Sequence, residues 1–279
     1  MVQKSAELES PRNSKAREIA KKPLTKIVEL LHNAFPWLTP NQVTILGTAG
    51  LGALVVYTSQ LEKEGKIDLQ TSLKLLAAFA ALSGTDAIDG SLARYKAKLG
   101  DTSHDSNVGQ LVDSLSDRVQ EAFLSWLAMY RAAQQGDKLW LITATLTAIT
   151  NPLSSIVRAW AESKGIAVPE SGNNLFELLG TRLGRAATST TRLLPPLEVG
   201  ETSAQAIIDG LTAAATTKIT VSRLQAVQEG QLSEEPLALD EETIKNAKRR
   251  FNLLTGLSVI TGIATSFLFY KLITKEDRN

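Results

Sequence analysis

A stretch of twenty residues without a charged side chain, Asn41 to Gln60, constrains this chain more than any other feature of its sequence. About 20 mostly apolar residues are needed for a helix to cross the hydrocarbon core of a bilayer. Four further apolar blocks follow, and polar segments separate them: 73–84, 122–129, 139–157 and 252–270. The mean hydropathy of the whole chain is −0.02, because the polar segments offset the apolar blocks in the average. The distribution predicts a membrane protein with substantial polar parts.

Composition excludes several classes of function. The chain has no cysteine, which excludes a disulfide scaffold, a thiol nucleophile and a zinc–thiolate site. Its two histidines, His32 and His104, are too few for a histidine-rich metal site. Lys plus Arg (30) nearly equals Asp plus Glu (29), so the bulk charge gives no argument for a nucleic-acid partner.

The segment before the first apolar block is basic and amphipathic. Seven of the first 40 residues are Lys or Arg. Apolar side chains recur there at helical spacing: Leu24, Ile27, Val28, Leu31 and Phe35. Such a helix can lie on an anionic membrane surface, although a packing helix of a soluble domain shows the same pattern. We predict a basic juxtamembrane segment over residues 1–38 and a membrane domain over 39–279, with a polar insertion at about 229–248 that contains a short helix.

Acidic residues form two pairs between the second and third apolar blocks. Asp86 and Asp89 are three residues apart, and Asp113 and Asp117 are four apart, so each pair shares one face of a helix. Both pairs lie where an apolar block meets a polar loop. Four converging carboxylates cannot all stay ionised without a counter-charge. Two divalent cations would supply it, and all-oxygen ligands favour Mg²⁺ or Mn²⁺.

The residues around the aspartates suit a phosphate ligand. Gly90, Ala93 and Gly109 are small and lie within about a turn of the aspartates, which leaves room for a ligand against the backbone. Arg94 is placed to bind a phosphate with its guanidinium group. A metal-bridged diphosphate fits this set, and one carboxylate could take a proton from an attacking hydroxyl. The alternative is that these are solvated aspartates at helix ends. The presence of two pairs on either side of one loop argues against this alternative.

This stretch resembles the signature of the CDP-alcohol phosphotransferases, D-x2-D-G-x2-A-R, a spacer, and G-x3-D-x3-D. All eight specified residues are present: Asp86, Asp89, Gly90, Ala93, Arg94, Gly109, Asp113 and Asp117. The spacer, fourteen residues from Tyr95 to Val108, is longer than is usual in the family. Extra residues in a loop cost little free energy. Pro40, Asn41 and Thr44 also resemble the P-N-x-x-T pattern at the start of the family's first transmembrane helix.

The resemblance implies transfer of a substituted phosphate from a CDP-linked lipid such as CDP-diacylglycerol to an alcohol, with release of CMP. Four residues would hold two Mg²⁺ or Mn²⁺ ions: Asp86, Asp89, Asp113 and Asp117. Asp117 would also be the catalytic base. Six would bind CDP: Asp86, Gly90, Ala93, Arg94, Gly109 and Asp113. The family fold is an all-α bundle of about six transmembrane helices, usually a homodimer, in contact with membrane lipids and with its site facing the cytosol. We expect this protein in the cytoplasmic membrane.

Six spans require residues 203–221 to cross the membrane. This segment contains Asp209 and Lys218, and each charge costs roughly 2.5–3.5 kcal/mol at a helix centre on insertion scales. Five spans would satisfy the positive-inside rule better at residues 245–250. We favour six because a charged residue within a span is tolerable when it faces the interior of a bundle.

Arginines downstream of the aspartates suggest the acceptor. The segment 155–165 is similar to the S-Y-V-[KR]-A-R-A-E-x-x-G segment of the branch that uses inositol phosphate, with departures at Ile156 and Trp160. Because the arginine fork binds phosphate in a bidentate way, Arg158 and Arg185 are candidates for the phosphate of the acceptor.

The other two arginines of this region, Arg182 and Arg192, fit equally well as anchors at lipid headgroups. An inositol phosphate is the first candidate acceptor and glycerol 3-phosphate the second, since a neutral alcohol would not need these cations.

Two other classes of function share some of these features. A cation transporter would use carboxylates near the middle of the bilayer, whereas these aspartates lie at the ends of apolar blocks. That class also leaves Gly90, Ala93 and Arg94 unexplained. An inactive membrane scaffold would require no single aspartate.

Overall fold

The computed structural model describes residues 24–101, 107–166, 179, 182–195, 198–199, 202–232 and 241–276. This part of the chain is almost entirely helical, as predicted. Its helices are α1 (24–34), α2 (Pro40–Lys63), α3 (Leu69–Ser83), α4 (Thr85–Lys98), α5 (Asn107–Gln135), α6 (Lys138–Ser163), α7 (Arg182–Thr191), α8 (Ala204–Leu232) and α9 (Glu241–Glu276). Two short strands, β1 (Glu198–Val199) and β2 (Thr202–Ser203), pair antiparallel before α8.

Each apolar block of the sequence lies in one of the long helices α2, α3, α5, α6 and α9, and residues 204–221 lie in α8. Among the described residues, α2 and α6 are long and apolar enough to cross a membrane. The total of about six spans stays a prediction.

The segment predicted as a polar insertion, 229–248, contributes to two helices. Helix α8 continues to Leu232 and α9 begins at Glu241, while 233–240 lie outside the described residues. The helices extend further than the apolar blocks because Glu, Gln, Lys and Ala are good helix formers. Glu241 and Glu242 also lie in the first turn of α9, where acidic side chains interact favourably with the helix dipole.

Helices α5 and α6 form the centre of the bundle. Helix α6 packs against α5, α8 and α9, and α5 also packs against α2. A core of buried apolar side chains joins α2, α3 and α5: Leu51, Leu54, Val55, Leu75, Phe79, Leu124 and Leu127. This core fixes the helices that precede and follow the acidic segment.

The start of α2 is built to contact α4. Thr39 and Gln42 form a capping box, and Pro40 occupies the first turn, where its missing N–H is not needed. A Cβ atom at Gly47 would lie only 2.0 Å from Thr85 Oγ1, so the glycine permits this close helix contact. The first turns of α2 therefore lie directly against the helix that contains Asp86 and Asp89.

Helix α1 buries part of its apolar stripe. Val28 packs with Leu38, Val43 and Leu92, whereas Ile27 is about half exposed. The helix is therefore attached to α2 and α4, and its position at a membrane surface stays a prediction. The basic residues before residue 24 lie outside the described residues.

The two charged side chains that made the span at 203–221 costly have different surroundings. Asp209 is buried in the bundle and pairs with Arg192, whose Nη2 donates to Asp209 Oδ1 at 2.7 Å. Lys218 is exposed on α8. Both members of the Arg192–Asp209 pair are 1% exposed, so Arg192 is an interior residue and not a surface anchor. The side chain of Arg182 lies outside the described residues.

Candidate active site

Three of the four signature aspartates converge. Carboxylate oxygens of Asp86, Asp89 and Asp113 all lie within 4.8 Å of one another. Asp86 and Asp89 come from α4, and Asp113 comes from α5. Such a group of oxygen donors fits a hard divalent cation, because the carboxylates repel one another unless a positive charge lies between them.

Asp117 lies one turn further along α5 than Asp113. Among the described residues it is outside the group of three, but with Asp86 it lines an adjoining cavity of about 160 Å³. The other residues of this wall come from α3, α5 and α7: Phe79, Ser83, Gln120, Glu121, Leu124, Arg185 and Ser189. The cavity is polar at the aspartates and apolar at Phe79 and Leu124, so it can hold a polar group next to the carboxylates.

Asp89 is oriented by a residue of α2. Thr44 Oγ1 donates a hydrogen bond to Asp89 Oδ2, and both side chains are buried. Thr44 is the threonine of the P-N-x-x-T pattern, to which the sequence analysis assigned no role. Groups that hydrogen-bond a metal ligand fix its orientation and tune its affinity for the metal.

Replacing Thr44 with valine is expected to weaken metal binding about 10- to 100-fold, the usual effect of losing a partner of a metal ligand. The change keeps the shape of the side chain and removes the hydroxyl that holds Asp89. The measurement is a titration of the purified protein with Mn²⁺, followed by electron paramagnetic resonance.

Two controls accompany this variant. Thr44→Ser restores a hydroxyl and should bind Mn²⁺ nearly as the wild type does. Thr48→Val makes the same change one turn later, where the hydroxyl accepts from Gln120 Nε2 at 3.0 Å and no carboxylate is involved. Equal Mn²⁺ affinity in Thr44→Val and wild type would show that Thr44 does not position the metal site.

The small residues of the signature leave space beside the aspartates. A Cβ atom on Gly90 would have Arg94 Nη1 as its nearest neighbour, at 3.6 Å. Arg94 is exposed, and its Nη2 donates to Ser91 Oγ at 3.0 Å. Ala93 and Gly109 are half-buried on α4 and α5. A ligand can therefore approach the backbone of α4 on the side that presents Gly90 and Arg94.

Arg185 is the predicted arginine that the fold brings to the aspartates. It is buried on the wall of the cavity, and its Nε donates to Glu121 Oε1 at 3.2 Å. Glu121 also accepts from Arg118 Nη1 at 2.5 Å. Sequence reasoning missed Glu121, although its place four residues after Asp117 puts it on the same face of α5.

Arg158 has different surroundings. Its Nε donates to Glu162 Oε1 at 2.9 Å, and Glu162 Oε2 accepts from Arg250 Nη2 of α9 at 3.1 Å. The side chain of Arg158 is 43% exposed, and the described residues of the cavity wall do not include it. The two predicted acceptor arginines thus pair with different carboxylates, Glu162 and Glu121.

Comparison with known proteins identifies the family of this chain. Residues 37–217, which run from the start of α2 into α8, match the family model described as CDP-alcohol phosphatidyltransferase. No curated protein sequence matches the chain. Among solved structures, the fold is similar to that of the Mycobacterium tuberculosis phosphatidylinositol phosphate synthase with CDP-DAG bound. The identity is 22%, the TM-score is 0.56, and the alignment covers 73% of this chain and 92% of that chain.

The signature residues, their convergence beside one cavity and the family match over most of the chain lead to one assignment. The chain belongs to the CDP-alcohol phosphatidyltransferase family and is an integral membrane transferase of that type.

Proposed function

We propose that this enzyme transfers the phosphatidyl group of a CDP-linked lipid, CDP-diacylglycerol, to a hydroxyl of a phosphorylated polyol and releases CMP. The observation that carries the proposal is the arrangement of Asp86, Asp117 and Arg185 around one cavity, with Asp89 and Asp113 converging on Asp86. The residues that we propose as metal ligands, base and acceptor-binding cation are thereby close to one another. In keeping with the family resemblance, we also propose a homodimer in the cytoplasmic membrane with the site on the cytosolic side.

The four aspartates, Asp86, Asp89, Asp113 and Asp117, would hold two Mg²⁺ or Mn²⁺ ions. When bound, the ions neutralise the diphosphate and polarise its P–O bonds. Asp86 and Asp113, together with Gly90, Ala93, Arg94 and Gly109, would bind the CDP group. Support for this role comes from the space beside Gly90 and from the exposed guanidinium of Arg94 on the same helix.

Asp117 would be the general base that takes the proton of the acceptor hydroxyl. Support for this role comes from its place on the cavity wall, beside the group of three carboxylates. The acceptor oxygen forms a bond to the lipid-linked phosphorus, the P–O bond to CMP breaks, and CMP keeps the electron pair. The proton of the hydroxyl passes to Asp117.

Arg185 supports a phosphorylated acceptor. It is the arginine on the wall that also contains Asp117, and a buried guanidinium binds phosphate strongly because competing water is scarce. Inositol phosphate is our first choice on the resemblance of residues 155–165. Glycerol 3-phosphate is the alternative that the experiment must separate.

Release of CMP by the purified enzyme, supplied with CDP-diacylglycerol and Mg²⁺, tests the proposal. Inositol phosphate, glycerol 3-phosphate, inositol and glycerol are compared side by side at equal concentrations. We expect turnover with inositol phosphate and little with the two neutral alcohols. Turnover with glycerol 3-phosphate alone would change the acceptor, and equal turnover with the neutral alcohols would contradict the role of Arg185. Absence of CMP with every acceptor would contradict the proposed reaction.

A further inference from the structure

Helix α5 contains a third acidic residue one turn after the two signature aspartates. Asp113, Asp117 and Glu121 follow one another at intervals of four residues, so they lie along one face of the helix. Glu121 lines the same cavity as Asp117, and its side chain is 19% exposed. The carboxylate is therefore part of the wall that the acceptor would contact.

Glu121 connects two arginines, of which Arg185 is buried and Arg118 is partly buried. Its Oε2 accepts from Arg118 Nη1 at 2.5 Å and its Oε1 accepts from Arg185 Nε at 3.2 Å. The side chains of Arg118 and Arg185 are 10% and 7% exposed. Arg118 precedes Glu121 on α5 by less than a turn, whereas Arg185 comes from α7, a helix of ten residues. The carboxylate thus links the short helix to the long one.

A hydrogen bond at Nε restrains the direction of the guanidinium group. Because the five N–H groups form a rigid planar fork, this restraint applies to all of them. A carboxylate beside a phosphate site repels the phosphate, so a direct contact between Glu121 and the acceptor would weaken binding. We therefore expect Glu121 to favour a phosphorylated acceptor through Arg185, its partner on the cavity wall.

We propose that Glu121 is a positioning residue that holds Arg185 in the orientation required to bind the phosphate of the acceptor. The inference rests on the proposed function, because it takes Arg185 as the cation that recognises this phosphate. Glu121 would thus be a specificity-determining residue outside the eight-residue signature.

Steady-state kinetics of Glu121→Ala and Glu121→Gln, with the acceptor varied at saturating CDP-diacylglycerol, test this inference. We expect the KM for the phosphorylated acceptor to rise about 10- to 100-fold in Glu121→Ala, since a hydrogen bond between charged groups contributes at this level. The kcat value and the affinity for CDP-diacylglycerol should change little. Glu121→Gln keeps an oxygen that accepts from Arg185 Nε, so its KM should lie between those of Glu121→Ala and the wild type.

A matched control removes a different carboxylate from an arginine pair. Glu62 Oε2 accepts from Arg131 Nε at 2.9 Å. Glu62 is about 27 Å along α2 from Thr44, which is next to the metal site. Glu62→Gln should lower the unfolding temperature without changing the KM for the acceptor. A purely structural role of Glu121 would give the same result as this control and would overturn the inference.

Variants of Arg185 separate the failure of this inference from the failure of the proposed function. If Arg185→Gln raises the KM and Glu121→Ala raises it no further in the double variant, the two residues act as one unit, as we expect. If Arg185→Gln raises the KM and neither Glu121 variant does, the positioning role is wrong and the acceptor site stands. If Arg185→Gln leaves the KM unchanged, the role of Arg185 is wrong and the inference falls with it. Should Glu121→Ala not fold, the same comparison is made with Glu121→Gln.

Discussion

Replacing Asp117 with asparagine is expected to stop turnover and to leave binding of CDP-diacylglycerol largely intact. Asparagine has the shape of aspartate but cannot take the proton of the acceptor hydroxyl. General-base catalysis contributes about 10²- to 10⁴-fold to a rate, so CMP release should fall by at least this factor. The measurements are CMP release and equilibrium binding of the lipid to purified protein in the presence of Mg²⁺.

The geometry gives a reason to expect separate effects on binding and turnover. Asp86, Asp89 and Asp113 form the converged group of donors, whereas Asp117 lines the cavity next to it. Asp113→Asn should therefore weaken metal binding, lipid binding and turnover together. Asp101→Asn makes the same chemical change three residues after the end of α4, outside the group of three carboxylates, and should have little effect on metal binding, lipid binding and turnover.

Each outcome for Asp117→Asn has a clear meaning. Normal turnover would rule out Asp117 as the base. Loss of lipid binding together with turnover would show that Asp117 is needed mainly as a metal ligand and not as the base. Loss of turnover with intact binding is the expected result.

Local spacing predicted that four aspartates come together, and three of them converge in the structure: Asp86, Asp89 and Asp113, whereas Asp117 lines the adjoining cavity. Asp86 and Asp89, and likewise Asp113 and Asp117, share a helix face at any orientation of the helices. The apolar blocks on either side then place both faces at the same end of the bundle. Thr44 was also recognisable as part of a motif. Its hydrogen bond to Asp89 was not predictable, because it depends on the close contact between α2 and α4 that Gly47 permits.

The arginines were harder to predict because their partners depend on packing. Arg185 meets Glu121 across 64 residues of chain, and no local pattern predicts that α7 returns to this place. Arg158 is different, because its partner Glu162 is four residues away on the same helix. This i, i+4 pair of opposite charges could therefore be predicted from the sequence. An arginine that pairs with Glu162 is less available to bind a phosphate.

The surroundings of Asp209 were likewise only partly predictable from the sequence. Hydropathy predicts that a carboxylate in this segment destabilises a span, but its side-chain partners come from two other places in the chain. Arg192 donates to Oδ1, and Trp140 Nε1 donates to Oδ2 at 3.0 Å. Ser125 Oγ accepts from Arg192 Nη1 at 3.4 Å. The charge is tolerated because these contacts satisfy it inside the bundle.

Asp209→Asn is accordingly expected to lower the free energy of unfolding by about 3–5 kcal/mol, the usual effect of breaking a buried ion pair from one side. The guanidinium of Arg192 stays buried without its carboxylate, whereas asparagine retains the size of the side chain. The measurement is denaturant-induced unfolding of the purified protein in detergent. Glu64→Gln is the control, since Glu64 pairs at 2.7 Å with Lys66 where both side chains are more than half exposed, and it should change stability little.

A double variant separates the charge from the packing. Replacing both members of a buried ion pair with apolar residues of similar volume is often neutral or stabilising, because neither charge then needs to be desolvated. Asp209→Leu combined with Arg192→Met should therefore be more stable than Asp209→Asn alone, although Trp140 Nε1 loses its acceptor. Unfolding of Asp209→Asn at the wild-type denaturant concentration would show that the pair contributes nothing to stability. In that case the pairing with Arg192 would not explain why α8 tolerates a buried carboxylate.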